Sequence, residues 1–350
     1  MAQFHSLKIK SILRQTDKAV SITFEVPKNL KAAFNFKAGQ YITLKTSIDA
    51  QEVRRDYSLS SNPTSGALTI TVKEIEGGVF SSYANNHLSS GDTLEVGLPN
   101  GRFIYETQTG AHTIVAFAAG SGITPIMSIA RTVLETESDS TFVLVYGNKS
   151  AKETIFHEEI LSLQRLYTNR FKLQFVCSEV NEEDALFGRI DRGNVNYIIK
   201  NTIDITDAQK FYLCGPEGMI NTTNEVLIEK GVEESQIMFE LFTASATALT
   251  SSTSTKKGES ELTILVDEEE TTLLMLQKQT ILEAALANDL DVPYSCQGGV
   301  CSSCICRVTE GTASMRQNNI LTDNEVAEGL VLSCQAEPTS ATIKVDFDDI

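Results

Sequence analysis

Ser295 to Cys304 reads SCQGGVCSSC, and how its cysteines are held decides what kind of molecule this chain is. The spacing is Cys296-x4-Cys301-x2-Cys304, with Cys306 two residues on and Cys334 separated from Cys304 by 29 residues. The 350-residue chain has seven cysteines, an odd number. Its first stretch, MAQFHSLKIKSILRQTDKAV, alternates like a strand and lacks the apolar core and small-residue cleavage site of a secretory leader. The expectation is therefore a cytoplasmic protein, in a compartment that disfavours structural disulfides and favours metal. Zinc ribbons and fingers present two separated Cys-x2-Cys or His pairs. Three cysteines at C-x4-C-x2-C with a distant fourth are instead spaced to hold a [2Fe–2S] cluster. Gly298 and Gly299 let the loop wrap closely, so that its amides can face anionic sulfurs. The metal ligands are then Cys296, Cys301, Cys304 and Cys334, and Cys306 is a small packing residue of a strand.

Upstream of the cysteine loop, ELTILVDEEETTLLM reads as a hairpin and TILEAALANDL as a short amphipathic helix, with Thr280 and Glu283 at capping-box spacing. Downstream, ATIKVDF reads as a closing strand. From Glu259 onward there are 17 acidic and 4 basic residues, most of the chain's net charge of −17. Such a module suits solubility or steering toward a basic partner, and the overall charge argues against nucleic acid. With no apolar run near 18 residues, no membrane span is expected. Before this module, TASATALTSSTSTKKGES (Thr243–Ser260) reads as a flexible linker.

The first part of the chain carries short alternating runs such as ALTITVKEI, punctuated by SNPTSG, EGG, SSGD and LPNG, which predicts a small antiparallel barrel. From about Thr113 the buried runs TIVAFAA, TFVLVYG, FKLQFVC and KFYLCG alternate with helical stretches such as PIMSIARTVLE and HEEILSLQRLY. That alternation predicts a parallel α/β sheet. The expected divisions are 1–107, 108–242, a linker over 243–260, and 261–350.

Three further motifs bear chemistry. RRDYSLSS (Arg54–Ser61) sets a cation, an aromatic ring and a hydroxyl along one extended stretch, although Tyr57 taken alone reads as a core aromatic. TVKEIEGGVFSSYANNHLSSGD follows, with glycines opening a helix whose first amides suit a pyrophosphate. AAGSGITPIMSIA (Ala118–Ala130) is not the G-x-G-x-x-G fingerprint, because Thr124 stands at the third glycine. Gly120 and Gly122 still permit a tight turn at a strand end, and Pro125 suits a first helical turn.

The pair RRDYSLSS and EGGVFSS resembles the flavin domain of the ferredoxin–NADP reductase family, and PYSCQGGVCSSC with LSCQAEP resembles plant-type ferredoxin domains, which implies a β-grasp α+β fold for the last module. The resemblance implies that Arg55 binds the FAD pyrophosphate, Tyr57 packs on the isoalloxazine and Ser58 bonds near its N5. It implies further flavin contacts from Val72, Lys73, Gly78, Phe80, Ser81 and Ser82, the last replacing an Asn common among relatives. GSGITP then meets the nicotinamide nucleotide through Gly120, Gly122, Thr124 and Pro125. FYLCGPEGM resembles the family's Cys-Gly-Pro motif, implying Cys214, Gly215, Pro216 and Met219 beside the nicotinamide, where Cys214 alone would read as a buried strand end. In MFELF, Glu240 is expected to assist protons and Phe242 either to shield the flavin or to close a last core strand.

Lys149 and Lys152 in VYGNKSAKE favour NADPH, with NADH possible, since Ser178-Glu179 replaces the Ser-Arg pair of NADPH-preferring relatives and each lysine also reads as a solvated loop charge. The domain order resembles the reductase components of multicomponent oxygenases, those of the phenylacetyl-CoA epoxidase type above all. It implies an NAD(P)H-dependent flavin iron–sulfur oxidoreductase that passes electrons to an oxygenase or hydroxylase component. The alternatives are a reductase for another hydroxylase or for a separate ferredoxin-type acceptor and, more remotely, a zinc-stabilised binding protein.

Overall fold

The computed structural model describes residues 4–242 and 258–350, and the chain divides into two compact units, Phe4–Phe242 and the residues from 258 onward. In the first unit, strands β1 (Phe4–Thr16), β2 (Ala19–Glu25), β3 (Tyr41–Ile48), β4 (Gln51–Ser58), β5 (Leu68–Lys73) and β6 (Thr93–Gly97) form a sheet in the order β4-β3-β6-β1-β2-β5. Every pairing is antiparallel. The sheet curls until its edges meet: Leu59 bridges Ile70, and the Ser60 amide donates to the Thr69 carbonyl at 2.8 Å. Alternation drives this, because Leu7 and Ile9, Ile42 and Leu44, and Leu68, Ile70 and Val72 all point into one core. Helix α1 (Val79–Asn86) lies against this sheet and begins directly after Gly77-Gly78.

The second half of this unit is a fully parallel sheet of β7 (Thr113–Ala119), β8 (Thr141–Asn148), β9 (Phe171–Cys177), β10 (Ala185–Phe187), β11 (Ala208–Gly215) and β12 (Ile237–Leu241). Helices α2 (Ile123–Thr136), α3 (His157–Leu166), α4 (Arg192–Asn201) and α5 (Glu217–Glu229) connect them. The strand order is β10-β9-β8-β7-β11-β12. Winding proceeds outward from β7 through β10 and then restarts on the other side of β7 with β11. The direction reverses between β7 and β11, and open parallel sheets take ligands at such a point, beyond the strands' carboxyl ends.

PIMSIARTVLE forms the helix expected of it, and α2 is buried nearly all round: 11 of its 14 residues are buried. One face covers the parallel sheet and the other meets the segment leaving β4. A helix is buried on every side only when it has neighbours on every side.

The second unit begins with β13 (Glu259–Val266) and β14 (Glu269–Leu276), an antiparallel hairpin. The linker is expected to run to Ser260, but Glu259 and Ser260 already pair with Leu276 and Met275, because Ser260 is buried and its hydroxyl donates to the Ser340 carbonyl at 2.8 Å. The rest of that linker, 243–257, lies outside the described residues. Helix α6 (Ile281–Ala287) carries the capping box expected for it: the Thr280 hydroxyl accepts from the Glu283 amide at 3.2 Å, and Glu283 accepts from the Thr280 amide at 2.8 Å. After the cysteine loop come β15 (Ile305–Glu310), β16 (Ala313–Met315), α7 (Asp323–Ala327), β17 (Leu330–Leu332), β18 (Ala336–Pro338) and β19 (Thr342–Asp346). The main sheet runs β14-β13-β19-β15-β17, with β16 paired to β18, and α6 packs its apolar face on the core.

Candidate redox sites

The four cysteines assemble into two pairs. Cys304 Sγ lies 3.3 Å from Cys334 Sγ, and Cys296 is hydrogen-bonded to Cys301. Among the described residues no group of three or more His, Cys, Asp or Glu side chains converges on one point. Two cysteine pairs suit a group of two irons, each iron taking two of the thiolates. The loop backbone serves the sulfurs as the glycines imply. The Gly298 amide points to Cys296 Sγ at 3.4 Å, with Val300 and Cys301 amides on the same sulfur and the Gly299 amide on Cys334.

Gly299 has φ +70, a left-handed turn that a Cβ would strain, and such a Cβ would also crowd Gln335 and the Gln317 carbonyl. The Cys301 hydrogen bond and these amides together draw the Cys296 thiol down to about 6. Ser295 and Ser333, each preceding a cysteine of the set, are buried with unpartnered hydroxyls. That donor set fits a sulfur-rich anionic group. Cys306 lies apart in β15, buried against Val331, and burial pushes its thiol well up.

Strand β4 carries the next group. Of its two arginines, Arg54 is buried, bonded to Glu52 at 2.8 Å and stacked over Phe4, while Arg55 is exposed. Tyr57 is half-buried with its ring 5.4 Å from Phe80, the buried aromatic of α1. Ser58 is buried and donates to Glu240 Oε2 at 3.3 Å. In the β11–β12 register Glu240 faces Cys214. Ser58, Cys214 and Glu240 therefore meet, although they are separated by up to 182 residues in sequence. Burial raises the Glu240 carboxyl to about 8, with Asp56 adding to the rise and the Ser58 hydroxyl opposing it. Burial and the facing Glu240 hold the Cys214 thiol well above its ordinary value.

Around this group the expected contacts sort by accessibility. Val72 is buried in the barrel core. Lys73 ends β5 with its amine near Gly120, and desolvation lowers its pKa. Gly78 precedes α1 so closely that a Cβ there would overlap Ser81 Oγ and Ile75. Ser81 is spent locally, accepting from the Ile75 amide and donating to the Gly78 carbonyl, both at 3.2 Å, and Ser82 donates to Glu74 at 2.9 Å.

At the reversal point, Gly120 has φ +55 and its carbonyl accepts from the Tyr146 hydroxyl at 2.9 Å. Gly122 is required by contact, since a Cβ there would overlap the Cys214 carbonyl. Thr124 and Pro125 are buried in the first turn of α2, with Thr124 Oγ1 donating to the Ser121 carbonyl at 3.1 Å. Gly215 closes β11, Pro216 is the N-cap of α5, Met219 is buried within α5, and Phe242 packs half-buried on the neighbouring core. Lys149 is exposed and paired with Glu179 at 3.0 Å, while Lys152 pairs with Asp17 at 2.7 Å.

Helix ends mark where anions are welcome. Among the described α-helices, α4, α6 and α7 have side-chain caps, and α3 and α5 carry Glu158, Glu159 and Glu217 in their first turns. Of these described helices, only α1 and α2 begin with neither a side-chain cap nor an acid. Helix α1 therefore leaves first-turn amides and a positive dipole end for a ligand phosphate, while α2, whose Ile123 amide already donates to the Gly120 and Ser121 carbonyls, presents its dipole end through the Gly120–Gly122 turn that leads into it.

Three residues escaped the sequence reading. Phe187, 61% exposed at the carboxyl end of β10, and the exposed Arg189 nearby share the edge that carries Asn148 and Cys177. Arg131 of α2 bonds outside its own sheet. Nothing in composition or periodicity marks such contacts.

Residues 7–105 match the oxidoreductase FAD-binding domain family, 117–225 the oxidoreductase NAD-binding domain family, and 258–339 the 2Fe-2S iron-sulfur cluster binding domain family. The chain is 37% identical to one of the component chains of the 1,2-phenylacetyl-CoA epoxidase of Escherichia coli K12, over 99% of each chain. It is 31% identical to the ferredoxin reductase component of 3-ketosteroid-9-alpha-monooxygenase of Rhodococcus rhodochrous, over 97% of this chain and 96% of the relative. Phthalate dioxygenase reductase shares the fold, with a TM-score of 0.64 over 98% of each chain at 24% identity. No described helix is long and apolar enough to cross a membrane. The chain belongs to the family of oxygenase reductase components that carry FAD-, nicotinamide- and [2Fe–2S]-binding domains on one polypeptide.

Proposed function

We propose that this chain draws electrons from NADPH, with NADH as a second donor, and delivers them singly to an oxygenase of the phenylacetyl-CoA epoxidase type. The observation that carries the placement of both nucleotides is that, among the described α-helices, α1 and α2 alone start without a side-chain cap or an acid. When bound, FAD accepts an electron pair from the nicotinamide and releases it one electron at a time to the cluster.

The chain's own residues supply position and protons. Arg55 and the first amides of α1, after Gly78, hold the flavin pyrophosphate, and Tyr57, backed by Phe80, covers the ring. Val72 and Lys73 line its edge, while Ser81 and Ser82 shape the turn. Gly120, Gly122, Thr124 and Pro125 bring the start of α2 to the nicotinamide nucleotide. Cys214, Gly215 and Pro216 form the opposing wall at the strand reversal, and Phe242 flanks it. Ser58 orients toward the reacting edge, and Glu240 holds a proton within reach of Ser58 near neutral pH. Cys296, Cys301, Cys304 and Cys334 hold the cluster. The working divisions are 1–107 for flavin, 108–242 for nicotinamide and the remainder, after the linker, for the cluster.

Coenzyme choice rests on the edge beyond β8 and β9. Lys149 and the neighbouring Arg189 favour a 2′-phosphate, while Glu179 neutralises part of that charge. None of the seven cysteines is paired in a disulfide, which suits a cytoplasmic setting. The acidic final module favours an acceptor with a basic docking face. The test is turnover of cytochrome c, itself basic, with NADPH and with NADH at rising ionic strength. The expected result is turnover, faster with NADPH, that weakens as salt increases. Absence of turnover with either nucleotide overturns the reading, and salt-independent turnover overturns the docking part.

A further inference from the structure

Helix α2 leaves the GSGITP turn and runs along the segment that follows Ser58. Three of its side chains, on one face at i, i+3 and i+7, hold that segment. Ser128 Oγ donates to the Ser61 carbonyl at 2.7 Å, Arg131 Nη1 donates to the Ser60 carbonyl, and Glu135 accepts from Asn62 Nδ2 at 2.6 Å. Arg131 is the one of the three that also grips a third element. Its Nε and Nη2 donate to Glu159 Oε1 at 2.9 and 2.5 Å, and its guanidinium lies over the Phe156 ring at 5.4 Å. Phe156 is buried, with φ +61, a left-handed conformation unusual for a bulky residue. A single planar cation thus ties the start of α3, the middle of α2 and the exit of β4 together.

We infer that Arg131 is a positioning residue: through the Ser60 carbonyl it fixes Ser58 relative to the α2 turn, and so sets how the nicotinamide-binding half meets the flavin-binding half. The inference rests on the reading of both halves given above. Arg131 lies in the third turn of α2, away from the reacting atoms, so its effect is on alignment rather than on affinity. A displacement near 1 Å at a reacting pair costs roughly 10²-fold in rate. Lysine retains the charge facing Glu159 but lacks the fork needed to reach Ser60 as well.

The test compares Arg131→Ala and Arg131→Lys in the full-length, FAD-loaded protein. The first readout is hydrogen exchange at the Leu59 and Ser60 amides, which are bonded to the Gln40 and Thr69 carbonyls. The second is the limiting rate of flavin bleaching by NADPH per bound FAD, taken separately from the apparent Kd. Exchange should quicken in Arg131→Ala, and the limiting rate should fall roughly 10- to 10²-fold. The Kd should stay within about 3-fold, and Arg131→Lys should fall between wild type and Arg131→Ala. Unchanged exchange with a wild-type rate per bound FAD overturns the inference, as does a weaker Kd with an unchanged limiting rate. If Arg131→Ala does not fold, the lysine variant decides by the same criteria. If the wild type itself fails to bleach, the functional reading fails, while the exchange comparison still judges the Arg131 tie.

Discussion

The cysteine loop and the Ser58–Cys214–Glu240 group are built in opposite ways. Three of the four cysteines sit within nine residues, and the amides that serve the sulfurs come from the same loop. The other group takes one residue from the end of β4, one from the end of β11 and one from β12, and only the closure of two sheets brings them together. A local site is tuned by its own backbone; a composite one depends on every element that aligns it. Damage to the loop should therefore abolish one function cleanly, whereas damage to the composite group should be graded.

The largest effect is expected from Cys334→Ser, which removes the one distant member of the loop's set. It should lose the visible absorption of the cluster while keeping a full complement of FAD. Retention of both chromophores would mean that the pairing of Cys304 with Cys334 is not what holds the cluster. Next is Gly122→Ala, where the added methyl meets the Cys214 carbonyl, a backbone atom with no freedom to give way. A destabilisation of about 1–3 kcal/mol, with slowed oxidation of either nucleotide, is expected from thermal unfolding and stopped-flow absorbance. Unaltered stability would show that α2 can shift without cost.

Glu240→Gln tests the composite group by pH. Flavin bleaching should slow, on the order of 10²-fold, and lose an inflection near pH 8. Stability carries the same sign information. Because the folded carboxyl titrates near 8, above its ordinary range, the native state binds the extra proton. Glu240's contribution is thus whole below about pH 4.5 and is lost as the pH rises through about 8. Relative to Glu240→Gln, the wild type should weaken across that window in chemical denaturation, and parallel curves would contradict the raised carboxyl. The smallest effect is expected from Glu179→Gln at the exposed pair with Lys149. Freeing the lysine should raise the NADPH-to-NADH ratio of kcat/KM by only about 2- to 5-fold, as a surface ion pair allows.

What is legible in the sequence follows the same division. The α6 capping box and the glycines before α1 and α2 are short-range patterns, and each is found where its residues implied, while the cysteine spacing is a short-range pattern of the same kind. The linker's end falls two residues earlier than its composition suggests. Glu259 and Ser260 are polar and resemble the serine-rich run before them, yet backbone pairing to Leu276 and Met275 makes them strand. Helix α2 is legible as a helix, but not its burial on both faces, and its polar residues Ser128 and Arg131 are those that reach the segment leaving β4. Phe187 and Arg189 carry no periodic signal, because exposure at a strand's end is a property of the sheet's edge.

The order of the electron path, nicotinamide to flavin to cluster, is the central claim. The most direct measurement is stopped-flow flavin bleaching by NADPH alongside cytochrome c reduction, in wild type and in Cys301→Ser. With electrons leaving only through the cluster, Cys301→Ser should bleach at the wild-type rate while its cytochrome c reduction falls to background. Cytochrome c reduction by Cys301→Ser at the wild-type rate would contradict it.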